Sequence, residues 1–213
     1  MKGLIGVAGN IGVGKTTFTR ILAERYGWRP FFESVIDNPY LSDFYRDMGR
    51  WSFNLQIFFL NQRFRAHMAM SKCNGPAIQD RTIYEDVEVF ARNLYDMGHM
   101  TKRDWDNYCS LFEIMTSYLY KPDLIVYLKA STDSLLSRIK NRDREFERYI
   151  APEYLHRINV CYGQWIERIK DVDPVLVVDT DNFNIFRDSQ RLEEVFTEIR
   201  DHLPMGVKNN EVQ

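Results

Sequence analysis

The segment Gly9-Asn10-Ile11-Gly12-Val13-Gly14-Lys15-Thr16 constrains this chain of 213 residues more than any other feature. It satisfies G-x-x-x-x-G-K-[ST]. It follows a short apolar run at 4–8 (LIGVA) that reads as a buried strand, and it opens a stretch of helical composition at 16–26, where Phe18, Ile21 and Leu22 recur at helical spacing. That setting is what the motif needs. Glycines let backbone N–H groups turn inward around phosphate oxygens, and the N-terminus of the following helix adds partial positive charge. Lys15 would reach the outer phosphates, and the Thr16 hydroxyl would hold a magnesium ion. Gly9 to Thr16, with Thr17 beside them, are therefore candidates for binding ATP. The bland alternative is a glycine turn that merely joins a strand to a helix, and the number of motif features matched in this setting weighs against it.

Beyond the loop, short apolar runs alternate with long amphipathic ones. Strands are expected over 30–35, 77–79, 124–128 and 174–178. Helices are expected over 51–70, 85–95, 102–120 (opening after Thr101 as N-cap), 132–141 and 152–170. The alternation predicts an α/β fold, a parallel five-stranded sheet flanked by helices on both faces, and the near-continuous apolar strands predict its full burial. No linker divides residues 1–205, which read as one domain, and the polar 206–213 read as a frayed tail. With 45% hydrophobic and 27% charged residues the chain has ordinary globular composition. No apolar run approaches the roughly 18 residues of a membrane span, and the opening residues are too poor in charge and apolar length for a secretory signal. Twenty-eight basic against 30 acidic side chains leave a charge of −2, which weighs against a general nucleic-acid binder. Three scattered cysteines, Cys73, Cys109 and Cys161, imply neither a disulfide framework nor a zinc site, and a cytoplasmic setting is expected.

A phosphate loop does not choose between hydrolases and kinases. A nucleotide switch or motor needs a second strand ending in an acid, whereas the run at 124–128 ends in Lys129-Ala130. A small kinase needs a carboxylate base, arginines around the transferred group and a basic lid, and all three have candidates. Glu33, in Phe31-Phe32-Glu33-Ser34-Val35, closes a predicted strand, so it should face the ligand crevice; a solvated loop glutamate is the alternative. Asp80-Arg81 ends another strand, with a structural ion pair as its alternative. The stretch 138–148 (RIKNRDREFER) carries five basic residues in eleven, with Arg138 and Arg142 on one helix face and Arg144 two further on. A wet helix face is the commonplace reading of such a run. Gln56 and Arg63 are seven apart and share a helix face. A glutamine amide can pair with a base edge, and the neighbours Phe53, Leu55, Ile57, Phe58 and Phe59 predict that it is buried.

In order and spacing, the pieces GNIGVGKTT, ESV, WSFNLQ with a later arginine, DRTIYED followed by VF, and the arginine-rich stretch followed by PEYL resemble the deoxyribonucleoside kinase family, and within it the bacterial deoxyadenosine/deoxyguanosine kinases. The resemblance runs from Gly9 to about Trp165. It implies a P-loop kinase fold with a lid at about 138–150. The implied reaction moves the ATP γ-phosphoryl group to the 5′-hydroxyl of a deoxyribonucleoside, as in deoxynucleotide salvage. It implies Glu33 as the base, with Arg81 and Lys15 steadying the transferred group, and Mg2+ placed by Thr16 and Asp80. It places Tyr45 and Glu147 at the sugar 3′-hydroxyl, Gln56, Arg63, Asp86 and Phe90 around the base, and Arg138, Arg142 and Arg144 at the phosphates. A homodimer is implied as well. An ionised Asp86 accepts from an exocyclic amine, and in the family an Arg/Asp pair at positions 63 and 86 speaks against thymidine; deoxyadenosine is favoured, then deoxyguanosine or deoxycytidine. Two positions depart from the family pattern. Asp143 stands where the lid commonly has glycine, lacking its freedom at positive φ, and Ser34 stands where many relatives have proline. A nucleoside monophosphate kinase of the thymidylate kinase type and a non-catalytic ATP-binding regulatory protein are the competing readings.

Overall fold

Five parallel strands form in the computed structural model, which describes residues 3–33, 38–183 and 188–203. The full burial expected of the sheet holds at its centre but not at its edge strands, which have a neighbour on one side only. The strands are β1 (Leu4–Gly9), β2 (Arg29–Phe31), β3 (Ala77–Asp80), β4 (Leu124–Lys129) and β5 (Val175–Asp179), in the order β2-β3-β1-β4-β5. Every residue of β1 and β3 is buried, as central parallel strands require. β2 forms one edge and contains Pro30, which has no N–H to donate to a ladder. β5, the other edge, alternates buried and exposed residues.

The order places the site. The chain leaves β1 through α1 (Lys15–Tyr26) toward β2 on one side and returns from β3 to β4 on the other. Right-handed crossovers in opposite directions put helices on both faces and open a crevice where the order reverses, beyond the carboxyl ends of β1 and β3. The register pairs Val7 with Asp80, so the phosphate loop and Asp80-Arg81 emerge side by side.

The remaining elements wall this crevice or cover the sheet. They are α2 (Leu41–Arg46), α3 (Met48–Ser71), a π-helical segment (Asp86–Ala91), α4 (Arg92–Asp96), α5 (Lys102–Thr116), α6 (Thr132–Arg142), a 3-10 turn (Glu145–Tyr149), α7 (Pro152–Ile169) and α8 (Ser189–His202). Several depart from the expectations. The strand expected at 30–35 ends at Phe31, which leaves Glu33 in the loop beyond it; 34–35 lie outside the described residues. The helix expected at 85–95 begins with a π-helical segment, a widened turn common at functional sites. The helix expected at 102–120 stops at Thr116, whose hydroxyl donates to the Phe112 carbonyl at 2.8 Å and competes with the backbone ladder. Two helices were not anticipated. α2 is six residues long, too short for periodicity to show. α8 is capped by Asp188, and its buried Val195, Phe196 and Ile199 recur at helical spacing. Phe196 meets Phe18 and Tyr26 of α1 edge-on at 6.3 and 6.0 Å. The expected tail, 206–213, lies outside the described residues. Among the described residues no helix is long and apolar enough to cross a membrane.

Candidate active site

The phosphate loop is bent by its glycines. Gly12 has φ 86°, and a Cβ there would meet Ile139 Cγ1 at 2.7 Å; Gly14, at φ 105°, is the N-cap of α1. α1 has no side-chain cap and no acid in its first turn, so its first N–H groups remain available to an anion. Asn10 fastens the loop to α7, donating from Nδ2 to the Leu155 carbonyl at 3.0 Å and to Asn159 at 2.7 Å. Lys15 folds back on the loop. Its Nζ donates to the carbonyls of Gly9 at 2.8 Å and Asn10 at 3.0 Å, and burial, with Arg81 nearby, lowers its pKa to about 8. The Thr16 hydroxyl donates to Asp80 Oδ2 at 2.5 Å. The other Asp80 oxygen is buried and has no partner among the described residues, and burial raises this carboxyl's pKa.

Glu33 faces inward. Its side chain is 16% exposed, and it accepts from Arg81 Nε at 3.2 Å on one oxygen and from Arg63 Nη2 on the other. Burial opposes its ionisation, but Arg63, Arg81 and Lys15 together outweigh burial and hold its pKa down at about 2. Arg81 adopts φ 70°, a backbone region costly for a side chain other than glycine's. Its surroundings hold it there. Besides Glu33 it donates to the Tyr162 hydroxyl at 3.0 Å, faces Glu85 at 3.8 Å and lies over the Phe90 ring at 4.4 Å.

Glu85 and Tyr162 form a support that sequence reasoning missed. Glu85 is fully buried and accepts from the N–H groups of Thr82 at 2.7 Å and Gly9 at 3.2 Å and from the Tyr162 hydroxyl. It therefore ties the start of the phosphate loop to the end of β3. An acid next to a second acid at the head of an apolar helix was the available signal. Tyr162, an aromatic at helical spacing, looks like core in the sequence and is core on every side but its hydroxyl.

Glu33, Asp80, Arg81 and most of the phosphate loop line one cavity of about 630 Å³, whereas Gly9, Asn10, Glu85 and Tyr162 support it without lining it. Ile11, Gly12, Gly14, Lys15, Thr16 and Thr17 line one end, Gln56, Arg63, Asp86 and Phe90 the other, with Glu33, Asp80 and Arg81 between and Tyr45 and Glu147 in the wall. The far end is built by α3. Its buried stripe runs Ser52, Leu55, Gln56, Leu60, Arg63, His67, Met70, so two of the expected base-binding side chains lie on an otherwise core-facing stripe. Arg63 Nη1 donates to Asp86 Oδ1. Even so, burial pushes the Asp86 carboxyl up to about 7. Gln56 Oε1, Arg63 Nε and Asp86 Oδ2 are buried without a partner among the described residues.

The arginine-rich stretch divides. Arg142 grips Glu147 through Nε at 3.0 Å and Nη2 at 2.5 Å, Arg144 stands 3.6 Å from the same carboxylate, and all three line the cavity. Arg138 is not brought together with them. It donates to the Val13 carbonyl at 3.2 Å and to Thr180 Oγ1 at 3.0 Å, and it lines a second cavity of about 480 Å³ with Val13, Gly14, Thr17, Asp181 and Phe183. Asp143 ends α6 at φ 49°, in the left-handed region, and its carboxylate accepts from Arg148 at 2.8 Å. Asp is among the side chains that tolerate this region.

A family profile described as deoxynucleoside kinase matches residues 5–204. The chain is similar to the deoxyadenosine/deoxycytidine kinase of Bacillus subtilis (strain 168), 39% identical over 198 residues that span 92% of this chain and 91% of that protein. It is 38% identical to the deoxyadenosine kinase of Dictyostelium discoideum over 191 residues, 90% of this chain and 76% of that one. Among solved structures, deoxyadenosine kinase from M. mycoides with bound dATP superposes with a TM-score of 0.82 at 27% identity, covering 92% of this chain and 98% of that chain.

Proposed function

The chain belongs to the deoxynucleoside kinase family, and from that premise we propose that it transfers the γ-phosphoryl group of ATP to the 5′-hydroxyl of a deoxyribonucleoside, preferably a purine: deoxyadenosine first, then deoxyguanosine or deoxycytidine. The observation that carries this reading is the position of Glu33 in one cavity with the phosphate loop and with Gln56, Arg63 and Asp86, each of which keeps one buried atom without a partner among the described residues. The acceptor hydroxyl gives its proton to Glu33 as its oxygen attacks the γ-phosphorus in line, and the bond to the bridging oxygen of the departing ADP breaks. Arg81, held by Tyr162 and Phe90, meets the charge that develops on the phosphoryl oxygens. Lys15 exchanges its loop carbonyls for phosphate oxygens. Arg142 and Arg144 give up Glu147 for the phosphates, which frees Glu147, with Tyr45, for the sugar 3′-hydroxyl. Closing this end excludes water, the competing acceptor.

Thr16 and Asp80 suit a magnesium ion, because Asp80 keeps a buried oxygen without a partner among the described residues. Among the described residues no cluster of three or more His, Cys, Asp or Glu could hold a metal by itself, and one carboxylate with one hydroxyl is the modest protein share of an ion carried in on phosphates. Such an ion would neutralise phosphate charge there. The second cavity, continuous with Gly14 and Thr17, suits the base of the donor nucleotide. Exposed Leu111, Ile114 and Tyr118, along and just beyond α5, support a homodimer.

The test is to offer each deoxynucleoside and each monophosphate with ATP separately and to follow ADP release and the phosphorylated product. Deoxyadenosine should give the 5′-monophosphate. Glu33→Gln should lower kcat by about 10²–10⁴ while deoxyadenosine still binds. Turnover with monophosphates alone would support the monophosphate kinase reading, and ATP binding with no turnover the regulatory one.

A further inference from the structure

We propose that Arg63 restrains the catalytic carboxylate until a nucleobase draws the guanidinium away, so that reading the base switches on acceptance of the 5′-hydroxyl proton. This deepens the kinase reading and rests on it. In the structure both oxygens of Glu33 are engaged by guanidinium groups, Oε1 by Arg63 and Oε2 by Arg81. A carboxylate held by two cations is a poor proton acceptor, because each raises the cost of neutralising it.

The two cations are not held alike. Arg81 is fixed from several sides, by Glu33, Tyr162, Glu85 and the Phe90 face, at a constrained backbone position. Arg63 comes from the opposite wall on a long side chain that lies over the Phe59 ring at 4.6 Å, a contact that survives a small swing of the planar group. Its Nη1 reaches Asp86, and its own Nε is buried without a partner among the described residues. The same holds for Gln56 Oε1 and Asp86 Oδ2 in the same wall. A purine edge entering the wall supplies acceptors for Arg63 and an amine for Asp86 or Gln56, so it competes with Glu33 for one end of the Arg63 fork. The carboxylate then retains Arg81, which the transferred phosphoryl group also needs, and regains an oxygen for the hydroxyl.

The test separates the sugar from its base. With 1,2-dideoxyribose, which keeps the 3′- and 5′-hydroxyls and has no base, the wild-type protein with ATP should turn over slowly, and free adenine added in trans should speed it about tenfold or more. In Arg63→Met the base-free sugar should be phosphorylated about tenfold faster than by wild type, with adenine no longer stimulating, while KM for deoxyadenosine rises. A side chain that only anchored the base would give a variant no faster than wild type on the base-free sugar, and that result overturns the proposal. So does wild-type turnover of the base-free sugar that adenine leaves unchanged, a measurement that needs no variant to fold. Failure of the wild type to phosphorylate any deoxynucleoside would instead remove the kinase reading itself.

Discussion

At Asp86 burial and charge oppose one another, and burial wins. Arg63 favours its ionised form, burial disfavours it more, and the carboxyl titrates at about 7. Only the ionised form can accept from the adenine amine with both oxygens. Ionisation grows as pH rises, so deoxyadenosine affinity should tighten about tenfold between pH 6 and pH 8, and Asp86→Asn should flatten that profile; titration calorimetry at three pH values would measure it. The opposite slope would mean that a protonated Asp86 donates to the base. At this scale the sequence was informative about residue type and silent about pairing. Gln56, Arg63 and Asp86 could be chosen from spacing and resemblance, yet the contact from Arg63 to Glu33 spans thirty positions of the chain and nothing local signals it.

Among elements, α1 and its support decide whether the phosphate loop holds its shape. Long periodic helices and apolar strands were legible because one face of each repeats every few residues. α2 was not, for want of length, and the π-helical start at Asp86 was not, because a widened turn leaves no periodic signature. α8 carried a readable pattern and packs Phe196 against Phe18 and Tyr26 of α1. Phe196→Ala should therefore cost about 3–5 kcal/mol of stability, seen as a lower denaturant midpoint, with KM for deoxyadenosine unchanged because α8 does not line that cavity. A loss below 1 kcal/mol would show that this seam does little to hold α1.

For the whole molecule, the strand order is what converts separate motifs into a site. Reversal between β1 and β3 brings together a loop from one end of the sequence, an acid after β2, an Asp-Arg pair after β3 and an arginine-rich stretch from past β4. Along and just beyond α5, Ile114 is 58% exposed and Tyr118 72% exposed. If this stretch joins two copies, Ile114→Glu should shift the sedimenting species from dimer to monomer at micromolar concentration. Unchanged sedimentation would place the contact elsewhere.

The chain by itself determined the phosphate loop, the alternation of strands and helices, and the residue types available for a kinase, because backbone geometry and hydrophobic periodicity are set by near neighbours. Only the tertiary structure decided which charges neutralise one another. It turned Arg138 to Val13 and Thr180, away from the main cavity, gave Arg142 and Arg144 to Glu147, and set Arg63 and Arg81 on either side of Glu33. Charge pairing in a buried space follows distance through the fold, and distance through the fold is not a function of separation along the chain.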